Sequence, residues 1–305
     1  IIPPGYDAAV LRIKETNTKL ALTTDGNGRY CYIDPKIGGA ISVAEACRNL
    51  STVGANPVAI TDCLNFGNPE ENDVYYQLEK CIEGIVDACK AFDIPVISGN
   101  VSLYNQTNEG NIYPTPIIGA LGLIEDDVQA VSSSFKSIGD LVYLLGTSSL
   151  STNIQALSGS EWSYINHQVV AGTLHIDLQM EKKVQSICRE LIKTGIIQSS
   201  HDCSDGGIAV AISECCIKGS KGITLTCEIK GRWDVALFGE EQSRILISVN
   251  PANEQKIIQQ CEQQSVPILK VGYVSEKNIS IGNLIETNVN EIRSYWEAGI
   301  SQYNA

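Results

Sequence analysis

Carboxylates and amides followed by glycine, placed where an apolar run stops, are the pattern in this chain most able to do chemistry. Three segments carry it. Asp62-Cys63-Leu64-Asn65-Phe66-Gly67-Asn68-Pro69 follows the apolar run Val58-Ala59-Ile60-Thr61. Ser98-Gly99-Asn100-Val101-Ser102-Leu103-Tyr104-Asn105 follows Pro95-Val96-Ile97, and Thr24-Asp25-Gly26-Asn27-Gly28-Arg29 follows Leu20-Ala21-Leu22. Open α/β sheets bind ligands at the carboxyl ends of their strands. Asp62 has the chemistry for a metal or a ribose hydroxyl, and Asn65 and Asn68 offer amide oxygens. Gly99 lets a ligand approach the backbone closely, and Asn100 can give Mg²⁺ a hard oxygen. Each segment also reads as a turn: an Asx-type turn after Asp62, a Gly-Asn turn at 99–100, and hairpin turns at Asp25-Gly26 and Asn27-Gly28. Both readings stay open on the residues alone, though two such strand ends in one region favour a magnesium-nucleotide site.

Two further segments hold acidic groups. His201-Asp202-Cys203-Ser204-Asp205-Gly206-Gly207 precedes a helix of small residues. Ser204 or Asp205 could cap that helix, or a phosphate could sit at its N-terminus. Neighbours on a strand face opposite sides, which argues against His201 and Asp202 as a catalytic pair. Phe238-Gly239-Glu240-Glu241-Gln242-Ser243-Arg244 sets two carboxylates before a strand. There is no Gly-x-x-x-x-Gly-Lys-[Ser/Thr] loop and no nucleophile elbow, so a nucleotide would need a less common fold.

The elements that must position these groups follow from hydrophobic period. Strands are expected at 20–24, 58–61, 95–98 and 116–123, with helices at 42–53 and 74–92. The second helix sets Leu78, Cys81, Ile82, Ile85, Val86 and Cys89 on one stripe. A polar stretch, Val131-Ser132-Ser133-Ser134-Phe135, then breaks the pattern. A boundary near residue 136 is expected, dividing the chain into domains 1–136 and 137–305. In the second, strands are expected at 141–146, 223–229, 244–249 and 268–274. Helices are expected at 177–194, 206–217, 253–264 and 291–298.

Composition narrows the function classes. The 305 residues suggest about two domains, and 43% apolar content fills a core in each. No apolar run approaches the roughly 20 residues of a membrane span. The start, Ile1-Ile2-Pro3-Pro4-Gly5, has neither a signal-peptide pattern nor a Met, as expected of a piece cut from a longer chain. The 11 cysteines form no paired C-x-x-C. Cys47, Cys81, Cys89, Cys188 and Cys261 fall within apolar patterns, reading as small hydrophobes in a reducing cytosol. A net charge of −13 with scattered cations argues against nucleic-acid and membrane partners. Phosphate chemistry here would rely on Mg²⁺ and backbone amides.

In their order along the chain, these segments together with Tyr113-Pro114-Thr115-Pro116 resemble phosphoribosylformylglycinamidine synthase, specifically the C-terminal half of its large subunit. The likeness covers essentially the whole chain. The 64–69 and 98–105 segments are its specific part, and the Asp-Gly-Gly element is shared with the wider aminoimidazole ribonucleotide synthetase superfamily. The resemblance implies an α+β or α/β chain: an N-terminal sheet domain that forms a barrel on dimerisation, then a C-terminal α/β domain. It implies an ATP-dependent ligase of purine biosynthesis, in the cytoplasm. Formylglycinamide ribonucleotide, ATP and glutamine-derived ammonia become formylglycinamidine ribonucleotide, ADP and phosphate. The implied partners are the first half of the same synthase, a glutaminase subunit and a small bridging subunit. By the same resemblance Asp62 and Gly99 are ATP contacts, Asn100 is a Mg²⁺ ligand and Ser102 contacts the substrate. The sequence departs from the first half of such synthases at Asn27, where a catalytic histidine is expected, and at Asn49, where a metal-binding aspartate is expected. No catalytic residue is therefore expected here, and the region of Asp25, Asp202 and Glu240 would be vestigial or hold a structural nucleotide. The isolated chain is expected to dimerise through the apolar face its missing half would cover. The competing readings are a stand-alone homodimeric kinase or synthetase, and a non-catalytic nucleotide-binding module.

Overall fold

A computed structural model describes residues 1–302. The first part runs β1 (Ala9–Arg12), β2 (Lys19–Asp25), α1 (Gly28–Ile33), α2 (Pro35–Thr52), β3 (Asn56–Asn65), α3 (Asn72–Phe92), β4 (Val96–Ser102), a small hairpin β5 (Gln106–Thr107) and β6 (Gly110–Asn111), and β7 (Thr115–Ile124). The second runs β8 (Leu141–Leu145), α4 (Glu161–His167), α5 (Leu178–Lys193), β9 (Ile197–Asp202), α6 (Gly207–Gly219), β10 (Gly222–Leu225), α7 (Trp233–Phe238), β11 (Ile245–Val249), α8 (Glu254–Gln263), β12 (Ile268–Ser275), β13 (Asn278–Ile281), β14 (Ile285–Asn288) and α9 (Val289–Gln302). The strands form a five-stranded sheet, β1-β2-β7-β3-β4, and a seven-stranded sheet, β14-β13-β10-β12-β8-β11-β9.

Alternation along the strands decides what each sheet face meets. In the first sheet Val10, Ala21, Ile60, Ile118 and Ala120 face inward and are buried against α2 and α3. The opposite face carries Leu22 beside Leu121, Leu20 beside Leu123, and a separate row of Thr24, Gly119 and Thr61. In β8, Tyr143 and Leu145 join the core shared with the first part, while Val142 and Leu144 join a second core under α6 and α7. Helix α5 packs on α2, so one apolar core runs from the first sheet through the helices to the second.

Helix α2 is the centre of that sandwich. Asp34 caps it, accepting from Ile37 N, and Pro35 opens it, so it begins seven residues before the expected 42. The early turns carry Gly38, Gly39 and Ala40, which give no hydrophobic stripe to read. Fifteen of its eighteen residues are buried. At Gly39 an added Cβ would lie 2.4 Å from the Cys81 carbonyl oxygen, and at Gly84 one would lie 1.8 Å from the Lys36 carbonyl oxygen. The two helices touch backbone to backbone there.

Two expected strands are also longer than their apolar runs. β3 continues through Asp62 to Asn65, and β4 continues through Gly99 and Asn100 to Ser102. The polar residues belong to the strands because β3 is paired on both sides, to β7 and β4. β10 stops at Leu225, short of the expected 229. The short elements β1, α1, α4, α7, β13 and β14 have too few residues to show a period.

Replacing Gly84 by alanine should lower the urea midpoint despite alanine's roughly 1 kcal/mol better helix propensity. The clash with Lys36 is backbone to backbone and should cost about 1–3 kcal/mol. An unchanged or raised midpoint would show that α2 and α3 can part without loss.

Candidate functional site

One row crosses the first sheet from Asp25 on β2 through Ile118 on β7 and Asp62 on β3 to Gly99 on β4. Residues in register share a face, so the Asp62 carboxylate lies on the helix side with Ile60 and Leu64. Burial pushes its pKa up, and its charge adds to the burial that lifts the Cys89 thiol of α3 to about 11. Gly99 is needed for space and has no unusual backbone angle: a Cβ there would lie 2.3 Å from Asp62 Oδ1. The next row pairs Cys63 with Asn100, and Asn100 Nδ2 sits 3.8 Å from Cys63 Sγ on the outer face. Ser102, two residues on, shares that face; its Oγ lies 3.2 Å from Asn105 Oδ1. Asp62 meets Gly99, and Asn100 neighbours Ser102, but the two pairs occupy opposite faces of β4. The other amides tie the backbone together. Asn65 Nδ2 donates to the Thr115 carbonyl at 3.1 Å, and Asn68 Oδ1 accepts from Glu70 N at 3.0 Å in an Asx-type turn.

A second constellation lies between the two sheets, in a cleft of about 710 Å³. Asp25, Glu45, Asn49, Asp205, His201 and Lys218 are among its lining residues. Beneath it lies the guanidinium of Arg48, fully buried on α2. Arg48 Nε stands 2.6 Å from Asp202 Oδ1, an ion-pair contact outside hydrogen-bond angles. Nη1 is 3.4 Å from Glu181 Oε2, and Nη2 is 3.6 Å from Glu45 Oε2 and 3.0 Å from Gln242 Oε1. One cation thus faces several carboxylates. Burial first, then the charges of Asp202 and Asp205, lift the Asp25 carboxyl to about 8. Burial with the charge of Asp25 lifts Glu45 well above the usual range. Asp205, exposed at the rim, is raised by partial desolvation of its carboxyl and by the charge of Glu161. Asn49 Nδ2 donates to Asp25 Oδ2 at 2.9 Å.

Glu240 is saturated. Its Oε1 accepts from Gly206 N at 2.7 Å and Glu161 N at 2.9 Å, and Tyr30 Oη donates to Oε2 at 2.5 Å. Burial and the Asp205 charge raise it to about 7. It fixes the starts of α4 and α6, a structural task. Neither Ser204 nor Asp205 caps α6, whose N-cap is Gly206 in the left-handed region. Asn27 Oδ1 caps α1, accepting from Arg29 N and Tyr30 N, so the Asp25-Gly26-Asn27-Gly28 segment opens a helix and forms no hairpin. Arg29 pairs with Glu161.

His201 and Asp202 face opposite sides of β9, as alternation requires. Asp202 meets Arg48. His201 Nδ1 lies 2.5 Å from Asp7 Oδ1 and Nε2 lies 2.7 Å from Glu214 Oε2. Burial alone would lower the imidazole pKa. The charge and hydrogen bond of Asp7, then those of Glu214, outweigh it and raise it to about 10. Both ring nitrogens therefore carry protons at neutral pH. Arg48, Glu45, Tyr30 and Asp7 were not singled out from the sequence. The signal for the first two was a charged pair three residues apart inside an otherwise small, apolar helix. Among the described residues no group of three or more His, Cys, Asp or Glu is placed to hold a metal ion, and no helix is long and apolar enough to cross a membrane.

Residues 5–124 match the family model described as AIR synthase related protein, N-terminal domain, and residues 137–283 match its C-terminal domain. The chain is 48% identical over 281 residues to phosphoribosylformylglycinamidine synthase subunit PurL of Thermoanaerobacter sp. (strain X514), covering 92% of this chain and 38% of that protein. It is 44% identical over 306 residues to the same subunit of Thermomicrobium roseum, covering 98% and 41%. The chain thus spans about two fifths of the length of these curated relatives. Among solved structures, T. maritima PurL complexed with FGAR superposes with a TM-score of 0.78 at 19% identity, covering 95% of this chain and 48% of that one. A chain of a HypE–HypF complex superposes at 0.67 and 15% identity, covering 93% and 92%. At those identities the likeness is one of fold.

Two measurements follow from the cleft. Arg48→Met should cost about 3–5 kcal/mol by leaving buried carboxylates unpaired, with part of the loss recovered at pH 5, where they protonate. A loss that is the same at pH 5 and pH 8 would mean that packing, and not charge, is what Arg48 supplies. His201 holds its proton to about 10 and Glu240 to about 7, each above its unfolded value. The folded state therefore binds more protons than the unfolded one between about pH 5 and 9, and stability falls as pH rises through that window. Asp7 and Glu214, which His201 holds low, remove stability only in acid. The thermal midpoint should decline from pH 5 to pH 9; a midpoint that climbs would contradict the protonated state of His201.

Proposed function

This chain belongs to the AIR synthase related family, and from that membership we propose that it is the C-terminal half of a phosphoribosylformylglycinamidine synthase. The observation that carries the proposal is identity of 44–48% over more than nine tenths of this chain within relatives more than twice its length. The reaction is the ATP-dependent ligation of purine biosynthesis. ATP phosphorylates the amide oxygen of formylglycinamide ribonucleotide, ammonia displaces the phosphate, and formylglycinamidine ribonucleotide, ADP and phosphate result. Ammonia would come from glutamine on a glutaminase subunit, joined through a small bridging subunit, in the cytoplasm. Domains 1–136 and 137–305 would act as the nucleotide-side and supporting units of this half.

The geometry supports a lending role. β4 is an unpaired edge with Ile97 66% and Val101 54% exposed, and the outer sheet face beside it is apolar. Such an edge and face invite another sheet, which here would be the first half of the same synthase; the isolated chain would use a second copy. Asn100 and Ser102 point from the outer face toward that partner. Asp62, opened by Gly99, lies beside the same edge. We assign Asp62 and Gly99 to ATP, Asn100 to Mg²⁺ and Ser102 to the ribonucleotide substrate. Asn100 provides a neutral amide oxygen, which suits a hard cation but is one of about six ligands. Phosphate oxygens, water and the first half would supply the others. Mg²⁺ bound there would neutralise charge on the transferring phosphate. Among the described residues we assign none to proton transfer at the reacting centre: by the resemblance Asn27 takes the place of a histidine of the first half, and it caps a helix.

The crowded carboxylates of the cleft favour a second reading, that this half also retains a non-catalytic Mg²⁺–nucleotide site. Asp25, Glu45 and Asp205 are hard oxygen donors in one cleft, with proton affinities raised by desolvation first and then by the charges of neighbouring carboxylates. They form no metal-holding group by themselves, so phosphate oxygens of the nucleotide would have to complete the shell. Mg²⁺ with ADP should raise the thermal midpoint of the wild-type chain and not that of Asp25→Asn. Equal shifts in both would remove this reading without touching the first.

In the full-length enzyme Asp62→Ala should raise the KM for ATP about tenfold or more, the value of one charge-assisted contact. Ser102→Ala should act on the KM for formylglycinamide ribonucleotide. Unchanged ATP kinetics for Asp62→Ala would take it out of the site. Turnover by the isolated 305-residue chain would overturn the lending role. Sedimentation at micromolar concentration should give a dimer, and a monomer would count against the exposed edge as an interface.

A further inference from the structure

The segment from Pro4 to Ala9 forms one wall of the cleft that holds Asp25 and Asp205. It enters from the first sheet, where the Ile2–Val10 bridge and Thr23 Oγ1, donating to the Asp7 carbonyl at 2.8 Å, hold its base. Its far side is tied to the second sheet. Asp7 Oδ1 meets His201 Nδ1, and Asp7 Oδ2 accepts from the Asp202 backbone N–H at 3.1 Å. Glu214 on α6 takes the other ring nitrogen. The Tyr6 hydroxyl lies 3.2 Å from Ser134 Oγ, and Lys218 Nζ stands 4.8 Å from the centre of the Tyr6 ring.

We propose that Asp7, His201 and Glu214 form an ionic clasp that straps residues 4–9 along the cleft and thereby sets access to the half-buried Asp25, while Asp205 stands exposed at the rim. His201 is a positioning residue, since both its nitrogens are spent on carboxylates and neither is left for a ligand. Asp7 does two things at once. It closes the strap, and through the Asp202 amide it fixes the strand position from which the Asp202 carboxylate reaches Arg48. Buried charge-assisted bonds are strong where both partners are satisfied and costly where one is left alone. The clasp should therefore open as a unit. This holds whichever ligand the cleft takes.

The test is carbodiimide labelling of carboxylates with glycine ethyl ester, read residue by residue by mass spectrometry. It is run on the full-length protein beside hydrogen exchange of the peptides spanning 1–12 and 197–206. Asp7→Asn and His201→Gln should each speed labelling of Asp25, and exchange of the Asp202 amide, by about 10- to 100-fold, as the loss of a charge-assisted bond predicts, while the exposed Asp205 keeps its wild-type rate. The double variant should be no faster than either single one, because all three lose the same clasp. Tyr6→Phe should leave labelling at the wild-type rate. Unchanged labelling in the single variants, or effects that multiply in the double variant, would overturn the clasp. Should His201→Gln fail to fold, Glu214→Gln decides. It keeps the imidazole, and faster labelling confined to the cleft supports the strap while wild-type labelling overturns it.

Discussion

A single guanidinium, enclosed by carboxylates from both halves of the molecule, is the constraint around which the rest is arranged. Arg48 can be buried only if α2 brings it to a place where Glu181 of α5 and Asp202 of β9 already converge. That requires α2 to lie between the two sheets. It in turn requires the small residues at 38–40 that let neighbouring helices close on it. The desolvation of the guanidinium is offset only by its partners, so the relative placement of the two sheets is tied to the charge state of the cluster. An apolar core alone would leave that placement looser, because apolar contact is not directional.

The acidic groups around the cleft then separate by what holds them. Glu240 has three donors and Asp202 has Arg48, so both are structural. Asp7 and Glu214 are committed to His201. Asp25 accepts from Asn49 Nδ2 and from the Gly26 backbone N–H, and Asp205 from Asn27 Nδ2 at 3.4 Å, so both are held by neutral donors. Residues that look equivalent as letters thus have unequal chemistry, and the difference lies in partners distant along the chain. Asp7 and His201 are 194 positions apart.

That distance explains what could be read in advance. Helices with a clear stripe, 74–92 and 177–194, were legible within a residue or two, because α3 and α5 each present one face to the core. Strand cores with a continuous apolar run were legible; β9, Ile197-Gln198-Ser199-Ser200-His201-Asp202, has no such run and was not expected. The ends of β3 and β4 were not. Asp62, Asn65, Gly99 and Asn100 have the residue types of turns, and pairing to neighbours holds them extended. The start of α2 was hidden for another reason: after Lys36 and Ile37 its turn is Gly38-Gly39-Ala40, buried but too small to show an apolar period. The candidate ligand groups Asp62, Gly99, Asn100 and Ser102 were visible as residues, but their division between two faces of one strand depends on register, which no local pattern contains.

That division gives β4 an unusual mechanical standing. Its alternate residues serve different compartments, Gly99 the space over Asp62 and Asn100 with Ser102 the outer surface. The backbone between them is a single extended rod with a free hydrogen-bonding edge. Whatever adds a strand to that edge fixes the tilt of both rows together. Communication between an incoming partner and the groups on either side of the sheet then needs no hinge and no loop movement. It needs only the stiffness of a paired strand, so an isolated chain would be slacker at both faces by the same cause.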